Sequence, residues 1–179
     1  MLSFLRLSSV PVFLWLWFAD HKDAAVVLYA VGASTDFFDG VIARKTNSVT
    51  ELGKVLDPLA DRVFIVALAV ALVGSGALPW LLAVAIVVRD LIVLSLFPVL
   101  AKRGVPRLEV NFTGKTATAC LLFGLTALAL SETDYGWADI GADVGLIFVM
   151  AGAILYWVAG ALYAREAVRR WKALPGATL

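Results

Sequence analysis

The sequence predicts an all-α integral membrane protein, a bundle of six transmembrane helices with both termini in the cytoplasm. Hydrophobic residues make up 61% of the 179 residues, and the mean hydropathy is +0.90, well above the values of soluble domains. Six apolar stretches are long enough to cross a membrane, which takes about 20 residues each. Because no linker or repeat interrupts them, we expect residues 1–179 to form a single membrane domain.

The apolar stretches give the six predicted helices in chain order. They are Leu2–Ala19, Ala24–Ala43, Leu52–Val73, Leu78–Leu100, Phe112–Leu130 and Ile140–Tyr163. Pro79 and Trp80 suit the first turn and the interfacial end of the fourth helix. Gly141 and Gly145 form a GxxxG pattern in the sixth helix, which is weak support for a homodimer.

The connections between these helices alternate in charge. The connections predicted outside hold Lys22 beside two aspartates, an uncharged turn at Gly74–Gly76, and the acidic stretch Ser131–Asp143. The remaining connections and the tail hold ten basic residues: Arg44, Lys45, Lys54, Lys102, Arg103, Arg107, Arg165, Arg169, Arg170 and Lys172. Since cytoplasmic connections carry the excess of Lys and Arg, both termini are predicted to face the cytoplasm. The basic tail is expected to bind anionic membrane lipids, and we expect no nucleic-acid partner.

Four aspartates interrupt the apolar sequence, namely Asp36, Asp39, Asp57 and Asp61. Unpaired in a membrane, they would cost on the order of 10 kcal/mol together. The first two are three residues apart at the end of the second predicted helix, and the last two are four apart at the start of the third, so each pair shares a helix face. A short turn joins the helices and brings all four together at the cytoplasmic side. Oxygen ligands without His or Cys favour two Mg²⁺ or Mn²⁺ ions, which can support phosphoryl transfer.

The residues around the aspartates fit a phosphate-bearing ligand. Gly40 and Gly53 would let a nucleotide approach the helix backbone closely, and Arg44 is placed to bind a phosphate with its fork of donors. Two alternatives remain. The aspartates could form structural salt bridges with Arg44, Arg62 and Arg89, or they could line the path of a small metal-ion transporter or channel. The almost wholly apolar outer halves of the helices argue against a transport path.

The residues from Asp36 to Asp61 read D-x2-D-G-x2-A-R-x8-G-x3-D-x3-D. This pattern resembles, at every position, the signature of the CDP-alcohol phosphatidyltransferase family, whose members have six transmembrane helices. The resemblance implies that the four aspartates hold the two cations and that Asp61 is also the general base toward the acceptor hydroxyl. It implies that the acceptor oxygen displaces CMP from CDP-diacylglycerol. The implied CDP contacts are Asp36, Asp39, Gly40, Ala43, Arg44 and Gly53.

The second substrate is predicted from polar residues in the later helices. Arg89-Asp90 lies midway along the fourth predicted helix and Gly114–Thr118 opens the fifth. Both resemble the glycerol-acceptor branch of the family, with Arg89, Lys115 and Arg107 as acceptor contacts. Ala117 stands where phosphatidylglycerophosphate synthases commonly have a second lysine. We therefore favour phosphatidylglycerol narrowly over glycerol 3-phosphate, with inositol phosphate or another alcohol less favoured. A structural Arg89–Asp90 ion pair is the alternative interpretation of that site.

Overall fold

The computed structural model describes residues 2–32, 51–102, 112–134 and 138–172, and the side chains within 7–32, 62–96, 112–134 and 140–171. These residues form an all-helical structure. Its helices are α1 Leu2–Phe18, α2 over residues 22–32, α3 Glu51–Gly74, α4 Trp80–Lys102, α5 Phe112–Ser131 and α6 Ala138–Lys172.

Wherever the structure describes the predicted helix ends, they agree with the observed ones to within a few residues, except at the end of the sixth helix. The sixth was expected to end at Tyr163, but α6 continues to Lys172. The added turns are polar, and Glu166 forms ion pairs with Arg169 at 3.0 Å and with Arg170 at 2.8 Å. Such pairs three and four residues apart stabilise a helix. The predicted end was placed where the apolar residues stop. The helix continues beyond that point because these ion pairs also stabilise it. Residues 33–43 of the second predicted helix lie outside the described residues.

The chain divides into two compact units. The first combines Met1–Leu78 with Ala127–Ala142, and the second combines Pro79–Thr126 with Asp143–Leu179. Helices α5 and α6 therefore contribute residues to both. The expectation of a single domain stays a prediction, and each unit is described by itself below.

Aromatic side chains from three helices form the centre of the first unit. Phe13 of α1 lies 6.0 Å from Phe64 of α3 and 6.4 Å from Tyr29 of α2, measured between ring centroids. Trp17 extends the cluster along α1, with its ring 5.8 Å from Phe13. All four residues are buried. Tilted ring pairs at these distances stabilise a core beyond the area that they bury, so α1, α2 and α3 pack as one layer of large side chains.

Three helix connections lie at the same end of the first unit. Lys22, at the start of α2, forms an ion pair of 2.7 Å with Glu132, which follows α5. The backbone N–H of Asp134 donates to the carboxylate of Asp23 at 3.3 Å. At the end of α3, a Cβ on Gly74 would lie 2.7 Å from the ring of Phe18 at the end of α1. The α1–α2, α3–α4 and α5–α6 connections therefore share one end, as the charge alternation requires.

Glycines allow close packing of α5 and α6 in the second unit. A Cβ on Gly124 would lie 2.6 Å from the backbone N of Val149 and 2.8 Å from the carbonyl oxygen of Gly145. One turn further, a Cβ on Gly152 would lie 2.9 Å from the backbone N of Leu121. Gly145, half of the GxxxG pattern, thus packs within the chain. The pattern no longer supports a second copy, and the homodimer stays a prediction.

Two helices in the described part of the chain are long and apolar enough to cross a membrane, Phe112–Ser131 and Ile140–Trp171. Only 33% of each apolar window is buried inside the protein. Large apolar side chains such as Phe123, Ile147 and Ile154 are exposed on them. Large exposed apolar side chains on long apolar helices are typical of a protein that contacts lipid.

Candidate functional site

Helix α3 carries the second half of the acidic pattern. Gly53, Asp57 and Asp61 all lie within its first half, in continuous α-helix from Glu51 onward. Positions four apart lie on the same side of an α-helix, so 53, 57 and 61 follow one another along one side of α3. The spacing of the last two aspartates thus matches the prediction. Their side chains are outside the described set.

The first half of the pattern lies outside the described residues. This applies to Asp36, Asp39, Gly40, Ala43 and Arg44, and also to Arg107 in the later basic connection. Among the side chains that the structure does describe, no group of three or more His, Cys, Asp or Glu could hold a metal ion. The cation site at the four aspartates therefore stays a prediction. The register of Asp57 and Asp61 on α3 fits it, because two carboxylates one helical turn apart can share a hard cation.

A second polar site lies in the second unit, around Arg89 of α4. Its guanidinium Nε donates to the backbone carbonyl of Tyr156 of α6 at 3.2 Å, and its Nη1 donates to Asp90 at 3.2 Å. The guanidinium carbon lies 3.8 Å from the centre of the Tyr156 ring. The hydroxyl group of Tyr156 donates to the same oxygen of Asp90 that Arg89 contacts. Each of the three side chains thus contacts the other two.

This set is almost entirely enclosed by protein. Arg89 is 8% exposed and Tyr156 is 1% exposed. A buried charge is tolerated only when it is paired and its hydrogen-bonding groups are satisfied. Asp90 supplies the opposite charge, and the Tyr156 ring adds a cation–π contact of about 0.5–2 kcal/mol. Gly160 leaves room for the arginine, since a Cβ there would lie 3.3 Å from its Nε.

The other residues that were predicted near the acceptor have different surroundings. Lys115 is exposed one turn into α5, whereas Ala117 is fully buried. Two residues apart on a helix, they point about 160–200° apart and so lie on opposite sides. Ala117 therefore occupies an enclosed apolar position.

Sequence reasoning did not find Tyr156 and Gly160 as parts of a polar site. A tyrosine in a long apolar helix is usually interpreted as a packing residue or an interfacial residue. Its partner Asp90 is also 66 residues away along the chain. The available signal was the spacing. Tyr156 and Gly160 are four apart, so a polar ring and a small residue share one side of α6.

The arrangement bears on the alternative in which Arg44, Arg62 and Arg89 neutralise the four aspartates. Arg89 has an ion-pair partner beside it in Asp90, which is not one of the four. Arg89 thus has at least one acidic partner besides the four aspartates.

Comparison with known proteins gives a consistent result. The family model of CDP-alcohol phosphatidyltransferases matches residues 1–164. A cardiolipin synthase (CMP-forming) of Streptomyces coelicolor is 38% identical over 94% of this chain and 81% of its own. A Mycobacterium tuberculosis protein named "Probable phosphatidylglycerophosphate synthase" is 37% identical over 94% of this chain and 80% of its own. A CDP-diacylglycerol–glycerol-3-phosphate 3-phosphatidyltransferase of Rickettsia bellii is 30% identical over 90% of this chain and 86% of its own.

Proposed function

The chain belongs to the CDP-alcohol phosphatidyltransferase family, and we propose that it transfers the phosphatidyl group of CDP-diacylglycerol to phosphatidylglycerol, with release of CMP. Because it belongs to this family, the chain is a transferase of phospholipid biosynthesis. Its relatives are named for such reactions. The apolar helices and the family together make it a membrane-associated enzyme. The observation that carries the chemistry is the eight-residue signature from Asp36 to Asp61 in a chain that the family model matches over residues 1–164.

The reaction is a direct displacement at phosphorus. Asp61 accepts the proton of the acceptor hydroxyl, the acceptor oxygen forms a bond to the phosphorus of the phosphatidyl group, and the bond from that phosphorus to CMP breaks. A positioned base contributes about 10²–10⁴-fold to such a step. Gly40 and Gly53 leave room for the CDP moiety beside the helix backbone, and Ala43 also contacts it. Arg44 binds one of its phosphates through paired donors.

Mg²⁺ or Mn²⁺ is the proposed cofactor, as two ions held by Asp36, Asp39, Asp57 and Asp61. When bound, the ions would stabilise charge on the entering and leaving oxygens. The support is the donor set, which is all oxygen, and the helical register of Asp57 and Asp61 in α3.

The acceptor is chosen on residues, because overall similarity does not choose it. Relatives named for cardiolipin synthesis and for phosphatidylglycerophosphate synthesis are 38% and 37% identical to this chain. Position 117 is a fully buried alanine, so it supplies no second ammonium to match a dianionic phosphate monoester. Arg89, Lys115 and Arg107 suit the singly charged phosphate of phosphatidylglycerol. Glycerol 3-phosphate is the second candidate acceptor, supported by the relatives that carry its name.

We also propose that six helices span the membrane with both termini and the active site on the cytoplasmic side. Three connections lie at one end of the first unit and hold Lys22 with several acids. The basic connections would then lie at the opposite, cytoplasmic side, where positive residues are in excess. The signature falls around one of those basic connections, at Arg44 and Lys45.

The deciding experiment measures CMP release from CDP-diacylglycerol by the purified protein with a panel of acceptors. The panel contains phosphatidylglycerol, glycerol 3-phosphate and inositol phosphate, and the lipid product is identified by its mass. We expect cardiolipin with phosphatidylglycerol. Exclusive formation of phosphatidylglycerophosphate would overturn the acceptor and leave the family chemistry intact, and no CMP release with any acceptor would contradict the proposal as a whole.

A further inference from the structure

We propose that Asp90 and Tyr156 are positioning residues, which hold the Arg89 guanidinium in one orientation for the phosphate of the acceptor. This inference rests on the proposed function, in which Arg89 contacts the acceptor. In this arrangement Tyr156 and Gly160 of α6 determine how well Arg89 of α4 binds the second substrate.

Tyr156 contacts Arg89 in two independent ways and Asp90 in a third. Its backbone carbonyl accepts from Nε at 3.2 Å, its ring lies 3.8 Å below the guanidinium carbon, and its hydroxyl group donates to Asp90. The ring fixes the plane of the guanidinium, and the carbonyl fixes its rotation within that plane. One oxygen of Asp90 accepts hydrogen bonds from both Arg89 and Tyr156. The Tyr156 hydroxyl group therefore also fixes the position of the carboxylate that pairs with the guanidinium.

The carbonyl contact depends on a small residue one turn further along α6. A Cβ on Gly160 would lie 3.3 Å from Nε and 3.7 Å from Cγ of Arg89. This is closer than side chains normally approach, so alanine at this position would displace the guanidinium by a few tenths of an ångström. Gly160 therefore leaves the space that the Arg89 guanidinium occupies.

An orientation fixed in this way matters for binding a phosphate. An arginine binds phosphate best through two parallel N–H···O bonds, which require the guanidinium plane to be aligned with the ligand. A flexible arginine side chain loses its rotational freedom when it binds, whereas one that is already held loses little. Loosening the guanidinium should therefore weaken acceptor binding and leave the reaction of bound substrates largely unchanged.

The test is steady-state kinetics of Tyr156→Phe and Gly160→Ala in detergent micelles, with each lipid substrate varied as a mole fraction. Tyr156→Phe removes the hydroxyl group that donates to Asp90, and Gly160→Ala fills the space beside Nε. For both variants we expect the KM for the acceptor to rise about threefold to tenfold, with kcat and the KM for CDP-diacylglycerol within about twofold of wild type. The matched controls are Tyr163→Phe, on the same helix, and Gly32→Ala, where a Cβ meets nothing within 4 Å.

The possible results distinguish failure of the positioning role from failure of the proposed function. An unchanged acceptor KM in both variants would overturn the positioning role. A fall in kcat and in thermal stability with the acceptor KM unchanged would also overturn it, because it would show that the contacts only fasten α4 to α6. If the wild type releases no CMP with any acceptor, the proposed function fails first. If one variant does not fold, the other decides, since Gly160→Ala keeps every polar group of the site.

Discussion

Helices α3 and α4 both hold charged residues within an apolar sequence, but they combine the charges differently. In α3, Asp57 and Asp61 have the same charge and lie one turn apart. In α4, Arg89 and Asp90 are adjacent and opposite in charge, and they contact one another at 3.2 Å. Like charges in a medium of low dielectric cannot neutralise each other, whereas an ion pair with satisfied hydrogen bonds can be stable there.

The difference indicates what each pair is for. In the proposed site, Asp57 and Asp61 would hold a divalent cation, and a reaction on phosphates can use such a cation. Arg89 and Asp90 are opposite in charge and both contact Tyr156, so they suit a role in holding and orienting. Changes at α3 should therefore affect the rate by orders of magnitude, and changes around α4 should affect substrate preference or stability more modestly.

Removal of divalent cations should have the largest effect. We expect CMP release to fall to the level without enzyme in EDTA and to return with Mg²⁺ or Mn²⁺, since an all-oxygen site selects hard cations. Ca²⁺ should occupy the site but support little turnover because its coordination is longer and looser. As a second readout, Mg²⁺ should raise the thermal midpoint of the wild type but raise that of a variant with both Asp57→Asn and Asp61→Asn much less. Full activity in EDTA would remove the distinction between the two pairs.

The next largest effect is expected for Asp61→Asn. An amide cannot accept the proton of the acceptor hydroxyl, so turnover should fall by about 10²–10⁴-fold while CDP-diacylglycerol still binds. The measurement is CMP release together with binding of radiolabelled CDP-diacylglycerol. Asp143→Asn is the control, because Asp143 is exposed on α6 and is not part of the signature. A variant that keeps more than about a tenth of the wild-type rate would show that Asp61 is not the base.

A smaller effect should follow from Ala117→Lys, which tests whether the acceptor side is tuned by charge. A second ammonium, at position 117, should favour the dianion glycerol 3-phosphate over phosphatidylglycerol by about tenfold in relative kcat/KM. Since Ala117 is fully buried, the control is Ala117→Met, which adds similar length without charge. An equal shift in both variants would assign the effect to packing and would contradict the charge argument.

The smallest effect concerns packing alone. Gly124→Ala should destabilise the protein by about 1–3 kcal/mol, because its Cβ would lie 2.6 Å from the backbone of Val149. Gly32→Ala is the matched change in α2, where a Cβ meets nothing within 4 Å, and it should be neutral or slightly stabilising. Thermal unfolding in detergent measures both. Equal stability of the two variants would mean that α5 and α6 are not held by close glycine contacts.

The sequence predicted those features that depend on neighbouring residues. The ends of α1, α3 and α5 follow from where the apolar residues begin and stop, and the register of Asp57 and Asp61 follows from helix geometry alone. The end of α6 did not follow, because hydropathy marks the edge of the apolar segment and the helix continues through pairs such as Glu166 and Arg170. The contacts between Asp90 and Tyr156, 66 residues apart, depend on packing that no local pattern contains. Residues 33–50, with half of the signature, lie outside the described structure.

The ion pair between Lys22 and Glu132 has a consequence for how the chain reaches its folded state. Its two residues are 110 positions apart, and the first unit takes residues from both ends of that interval. At a synthesis rate of about 5–20 residues per second, Lys22 precedes Glu132 by about 5–20 s. By the end of that time α1, α2 and α3 have all been made, while the segment that completes their unit has not left the ribosome. The first unit therefore finishes folding only after the greater part of the second has been synthesised.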